Sequence, residues 1–155
     1  MSDNLKTLRY HYKYKSKVID GEITLDLSRF ETQFKDAQFK LDSMVMRDMV
    51  EFMPMDTGQF INVTKSMSAA IAGSGIVVAA APPFGRFLYE GEVMEGVRSK
   101  SPWAKKGEKK QVTGRQIQYT KTKHPDAQSH WFEPAKKKNL KKWVRVTKKT
   151  AGGGK

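Results

Sequence analysis

The chain has 155 residues, no cysteine, 38% apolar content and a formal net charge of +13. That length suits one domain with a modest core, and the missing thiols exclude disulfides, Cys-zinc sites and thiol catalysis. The charge is uneven: residues 1–83 hold ten Lys/Arg and ten Asp/Glu, so residues 84–155 carry the whole excess. An excess so placed reads either as a surface for a polyanion or an acidic protein, or as lysines that are simply solvated.

From Leu8 to Val18 aromatic residues alternate with basic ones, the period-two pattern of a strand. Asp20-Gly21 is a hairpin signal, and Ile23, Leu25 and Leu27 alternate in a second strand. The tyrosines would either cover the helix that follows or stack on bases.

Residues 28–53 form the organising stretch, one long amphipathic helix. Ser28 with Glu31 is a capping-box pair. Phe30, Phe34, Ala37, Leu41, Met44, Val45, Met49 and Phe52 recur every three or four residues, while Glu31, Lys35, Asp36, Lys40, Asp42 and Arg47 fall on the wet face. Pro54 ends the helix by restricting the residue before it, and Asp56-Thr57-Gly58 reads as a turn. A helix of that size runs roughly 37 Å, so the rest of the chain has to pack on it.

Residues 59–81 read as antiparallel strands: Phe60, Ile61 and Val63 in one, and a hairpin through Gly73-Ser74-Gly75 into Ile76-Val77-Val78. The Gly-x-Gly lacks the later glycine, lysine and helix of a phosphate loop. Phe84 to Gly91 is a dense aromatic corner in which Glu90 is placed to pair with Arg86 at i, i+4. Residues 92–119 form an extended basic loop or hairpin of a length that goes with either function or disorder. Trp103 inside it either anchors another subunit or folds back on its own domain. Trp131 and Phe132 should dock on the core, and residues 130–146 form a C-terminal helix with Pro134 in its first turn. Residues 151–155 are a flexible tail.

His11, His124 and His130 are the only histidines, and no His-Glu-x-x-His, Cys cluster or acidic triad is present. Ser129, His130 and Asp126 could be arranged on paper as a triad, but no nucleophile elbow accompanies them. No catalysis and no cofactor are expected. The Ala69–Phe84 apolar run is interrupted by glycines and prolines and cannot span a membrane. A soluble protein made in the cytoplasm is expected. The fold class is α+β: one long helix on a small antiparallel sheet, an extended basic loop and a short C-terminal helix.

Five stretches, in order, carry a resemblance: Met53-Pro54-Met55-Asp56-Thr57-Gly58, Pro83-Phe84-Gly85-Arg86-Phe87-Leu88-Tyr89-Glu90-Gly91, Ser101-Pro102-Trp103-Ala104, Gln118-Tyr119 and His130-Trp131-Phe132-Glu133. The set resembles the minor capsid proteins of tailed bacteriophages and prophages, within the wider group of small neck and tail-completion proteins, and the resemblance covers residues 28–145. The resemblance implies a structural virion protein at the head–tail junction that forms a ring with copies of itself. Its other partners would be adjacent neck proteins, a tail terminator or tail tube, and DNA in passing. Ring closure needs a head-to-tail interface on each subunit. The residues expected there are Met46, Met49, Val50 and Met53 on the helix, Phe84, Arg86, Tyr89 and Glu90 at the corner, and Arg98, Trp103, Lys105, Lys106, Lys109 and Lys110 on the loop. The alternative is a basic nucleic-acid-binding domain using the same loop and the Lys136–Lys142 face. It lacks any zinc-finger or RNP motif.

Overall fold

The computed structural model describes residues 13–18, 21–26 and 28–152, with side chains from Ser28 onward. The chain is α+β. In order it runs β1 (Lys13–Val18), β2 (Gly21–Asp26), α1 (Ser28–Met49), a 3-10 turn (Val50–Phe52), α2 (Gln59–Ala70), α3 (Gly85–Glu90), β3 (Glu92–Gly96), β4 (Lys110–Gln116) and α4 (Phe132–Thr150). The strands form two separate antiparallel pairs, β1–β2 and β3–β4. In the first, Val18 faces Gly21, as a short hairpin requires. The expected strand start at Leu8, the Asp20 turn position, the covering role of the tyrosines and tail residues 153–155 lie outside the described residues.

The long helix ends as its sequence requires. Met53 is extended (φ −81°, ψ 143°) immediately before Pro54. Its main neighbour, however, is α4 rather than a sheet. Val45, Met49, Phe52, Met53, Ile61, Trp131, Ala135 and Trp143 form the core between the helices. The seam is also polar-tied. Asp48 Oδ2 accepts from Trp143 Nε1 at 2.7 Å and meets Lys142 Nζ at 2.6 Å. Burial pushes the Asp48 carboxyl up, but its bonds to Lys142, Trp143 and Arg47 outweigh that and hold it below its ordinary 3.8.

Residues 59–81 are not antiparallel strands. Gln59–Ala70 is helical, and the following segment to Pro83 pairs with no strand among the described residues. The buried face of α2 is Ile61, Thr64 and Ser68, a helical spacing whose members are mostly polar. Thr64 Oγ1 donates to Phe60 O at 2.8 Å and accepts from Ala81 N at 3.1 Å; Ser68 Oγ accepts from Val78 N at 3.3 Å. Hydroxyls therefore do the joining on this face, and a search for apolar periodicity misses it.

Asp42, expected on the wet face, is 3% exposed. Its Oδ2 accepts from the backbone N–H of Gly73 at 2.7 Å and of Gly75 at 3.0 Å, while Oδ1 accepts from Gln38 Nε2 at 2.7 Å. The Gly-Ser-Gly turn thus cradles the chain's own carboxylate. Phe30 and Phe34, expected on the buried face, are exposed at the start of α1, and Phe39 is exposed beside the Gly73 turn.

Candidate protein–protein interface

The expected interface residues fall into three groups. The first is not available. Met46, Met49 and Met53 are buried by the chain's own α2 and α4 contacts, and Val50 is half-buried against the same cluster. The apolar end of α1 is covered because helices close on it from more than one side. The expectation that it is shared with a neighbour is therefore overturned.

The second group is the aromatic corner, α3. Tyr89 points inward, its ring edge-on to Trp131 at 4.8 Å. Burial, then the nearby Glu133 and Glu90 charges, raise its phenol above 10.0. Glu90 does not pair with Arg86. It faces His130, with Nε2 to Oε2 at 3.2 Å, and His130 N donates to Tyr89 O at 2.8 Å. The start of α4 competes for the carboxylate because its backbone is already tied to α3. Phe84 and Arg86 are exposed, and Glu90 is exposed too beside His130, so this corner offers three of the four outward.

The third group is brought together. β3 and β4 make a hairpin with an irregularity between Glu92 and Met94, and its root is fixed to the body. Ile117 N donates to Gly91 O at 2.8 Å, and the half-buried Tyr119 hydroxyl donates to Leu88 O. Gly91 has φ +77°, and a Cβ there would lie 2.9 Å from Ser129 Cβ, so only glycine lets the chain turn from α3 into β3 at this place. Arg115 Nη2 to Glu95 Oε2 at 2.9 Å adds a cross-strand pair.

At the tip the six cations Arg98, Lys100, Lys105, Lys106, Lys109 and Lys110 are all exposed. One acid, Glu108, ties together the backbone at two of them, Arg98 and Lys105. Its Oε1 accepts from the N–H groups of Arg98 (2.8 Å) and Ser99 (2.7 Å), and its Oε2 from Lys105 N (3.0 Å). Lys110 Nζ donates to Pro102 O at 2.8 Å. A Cβ at Gly96 would sit 2.5 Å from Glu108 Oε1, so Gly96 leaves room for the carboxylate. The amides of Ser99 and Lys105, with that of Arg98, hold the Glu108 carboxyl down to about 2. Trp103, held out by this frame, is 84% exposed. Of the two readings of Trp103, folding back on its own domain is ruled out.

Glu108 went unread in the sequence. The available signal was a lone acid within a run of lysines and glycines. It makes a prediction. Its folded carboxyl lies below the ordinary 4.5, so the clamp is at full strength above about pH 4.5 and is lost as pH falls through about 2. Glu108→Gln should remove that pH dependence and speed amide exchange at Arg98, Ser99 and Lys105, leaving the global Tm unchanged. Residue-resolved hydrogen exchange checks both.

Among the described residues, no group of three or more His, Asp or Glu side chains is placed to hold a metal, and no helix is long and apolar enough to cross a membrane. Comparison with protein-family models, with curated proteins and with solved structures finds no match.

Proposed function

We propose that this chain is a structural virion protein of the head–tail connector or tail-completion region of a tailed phage. It acts by ring oligomerisation and by joining neighbouring rings, without catalysis. The observation that carries the reading is the β3–β4 tip: a clamped loop that presents one exposed tryptophan among six cations, rooted rigidly in a body that fills its own core. A large aromatic held in a fixed frame is suited to be an interface anchor, since little side-chain or loop entropy is lost on docking. The family-like motifs support the same reading. Pro54–Gly58 joins α1 to α2, Phe84–Gly91 forms α3 and its exit, and His130–Glu133 opens α4. Each of these stretches is a joint between elements, and Phe84–Gly91 leads directly into β3.

The test is a phage whose copy of this chain has residues 98–108 replaced by an Asn-Gly turn, alongside Trp103→Ala. Each purified variant should keep its helical circular dichroism and its Tm. The shortened chain should fail to join heads to tails, and Trp103→Ala should lower particle yield at least tenfold. Normal infectious yield from the shortened variant would overturn the reading.

The same tip favours a second reading, nucleic-acid binding through Arg98, Lys105, Lys106, Lys109 and Lys110 with Trp103 stacking. Affinity for DNA would then fall steeply with salt, and DNA would compete with the protein partner for the tip.

A further inference from the structure

We propose that the groove beside α4 is a docking site for an acidic, amphipathic helical segment of a partner protein. This site is separate from the hairpin tip, and the proposal stands independently of the virion reading. The groove lies between α4 and the segment after α2, and encloses about 670 Å³. Leu41, Val45 and Met49 of α1 form its floor; Val77 lies on one side and Leu140 and Val144 of α4 on the other. Leu140 and Val144 are 46% and 43% exposed, although they stand next to the core residue Trp143. Two aliphatic side chains half-open to water beside a concave apolar floor form a surface that gains by being covered.

Charge selects the occupant. α4 carries seven lysines and one arginine against a single acid, Glu133. Lys138 is paired with Glu51 and Lys142 with Asp48. Among the described residues Lys136, Lys137, Lys141 and Lys148 have no ion pair. Lys136 and Lys148 line the groove, and helical spacing sets Lys137 and Lys141 along its outer lip. The one carboxylate in the lining, Asp42, is already occupied by Gly73, Gly75 and Gln38. An apolar floor with a cationic lip fits a segment with apolar residues on one face and Asp or Glu beside them.

Shape selects a helix. Lys136, Leu140, Val144 and Lys148 recur every fourth residue, a ridge about 18 Å long that packs against about three turns of another helix. The concavity disfavours a bilayer, which needs a protruding apolar face. A second copy's Trp103 tip is disfavoured by charge, because that tip and this lip are both basic.

The test uses a labelled synthetic helical peptide with Leu at i, i+4, i+7 and i+11 and Glu on both flanks. Fluorescence anisotropy with the full chain should show saturable binding in the micromolar range. Leu140→Glu with Val144→Glu should weaken it at least tenfold. Lys137→Glu with Lys148→Glu should weaken it and confer binding of the same peptide with Lys in place of Glu. All four positions are on the outside, so unchanged Tm values verify folding. Equal binding of the Glu and Lys peptides by the wild-type chain, or no saturable binding, would overturn the proposal. So would capture of the chain by phosphatidylserine vesicles that the Leu140/Val144 variant retains.

Discussion

Trp131→Ala should lower the unfolding free energy by about 3–5 kcal/mol and the Tm by roughly 10 °C, the largest single-residue effect expected in this chain. Trp131 is wholly buried, and it is where four parts of the structure meet. Its indole Nε1 donates to Ala79 O at 2.9 Å, in the segment after α2. Phe60 of α2 meets it edge-on at 6.0 Å and Tyr89 of α3 at 4.8 Å. Its own backbone carbonyl takes the first N–H bond of α4, from Ala135. Truncation leaves a cavity that rigid helices on three sides cannot fill, and it orphans the Ala79 carbonyl. Trp131→Phe keeps one aromatic ring and loses the pyrrole ring with its N–H, so it should cost less than the alanine, about 2–3 kcal/mol. Urea denaturation ranks the two. Trp103→Ala serves as the control: the same chemical change on an exposed tip should leave stability within about 0.5 kcal/mol.

That contrast shows what the sequence could reveal. Both tryptophans stand in motif-like stretches, and apolar content does not distinguish them. Trp131 was legible as core because a proline and an amphipathic stripe follow it. Trp103 was ambiguous because the surrounding lysines and glycines carry no periodicity, and the decision depended on Glu108, whose partners are backbone amides that any residue supplies. The extent of α1 was legible because its ends are local chemistry, Ser28 at one and Pro54 at the other. Its neighbours were not legible. A wide apolar end, from Met44 to Met53, gives no sign whether a sheet, a helix or another subunit covers it, and here α2 and α4 do. The α2 error has the same origin. Phe60, Ile61 and Val63 resemble a strand when only apolar residues are counted, while Thr64 and Ser68 make the buried contacts. Neither the hydroxyls nor Asp42 announces its burial, since each becomes a core residue only through backbone N–H groups supplied from 10 to 33 residues further on.

Asp42 provides the sharper test of that point, through two substitutions that differ by one functional group. Its carboxylate is buried and accepts three hydrogen bonds, two of them from the Gly73–Gly75 turn. In Asp42→Asn the amide oxygen can keep both glycine N–H groups, and the new NH2 can face Gln38 once that side chain rotates to present its own oxygen. The lost charge assistance should then cost about 1 kcal/mol. In Asp42→Ala the turn has no acceptor, and the buried site next to α1 is empty. A loss of about 2–4 kcal/mol follows, together with faster amide exchange at Gly73 and Gly75. The consequence reaches the α4 groove, because Gly75 and Val77 line its wall. If the turn is what holds that wall, Asp42→Ala should also weaken the acidic peptide, and Asp42→Asn should not. Equal stability of the two variants by urea denaturation would show that the cradle is incidental. Unequal stability with unchanged peptide affinity would show that the groove keeps its shape without the turn.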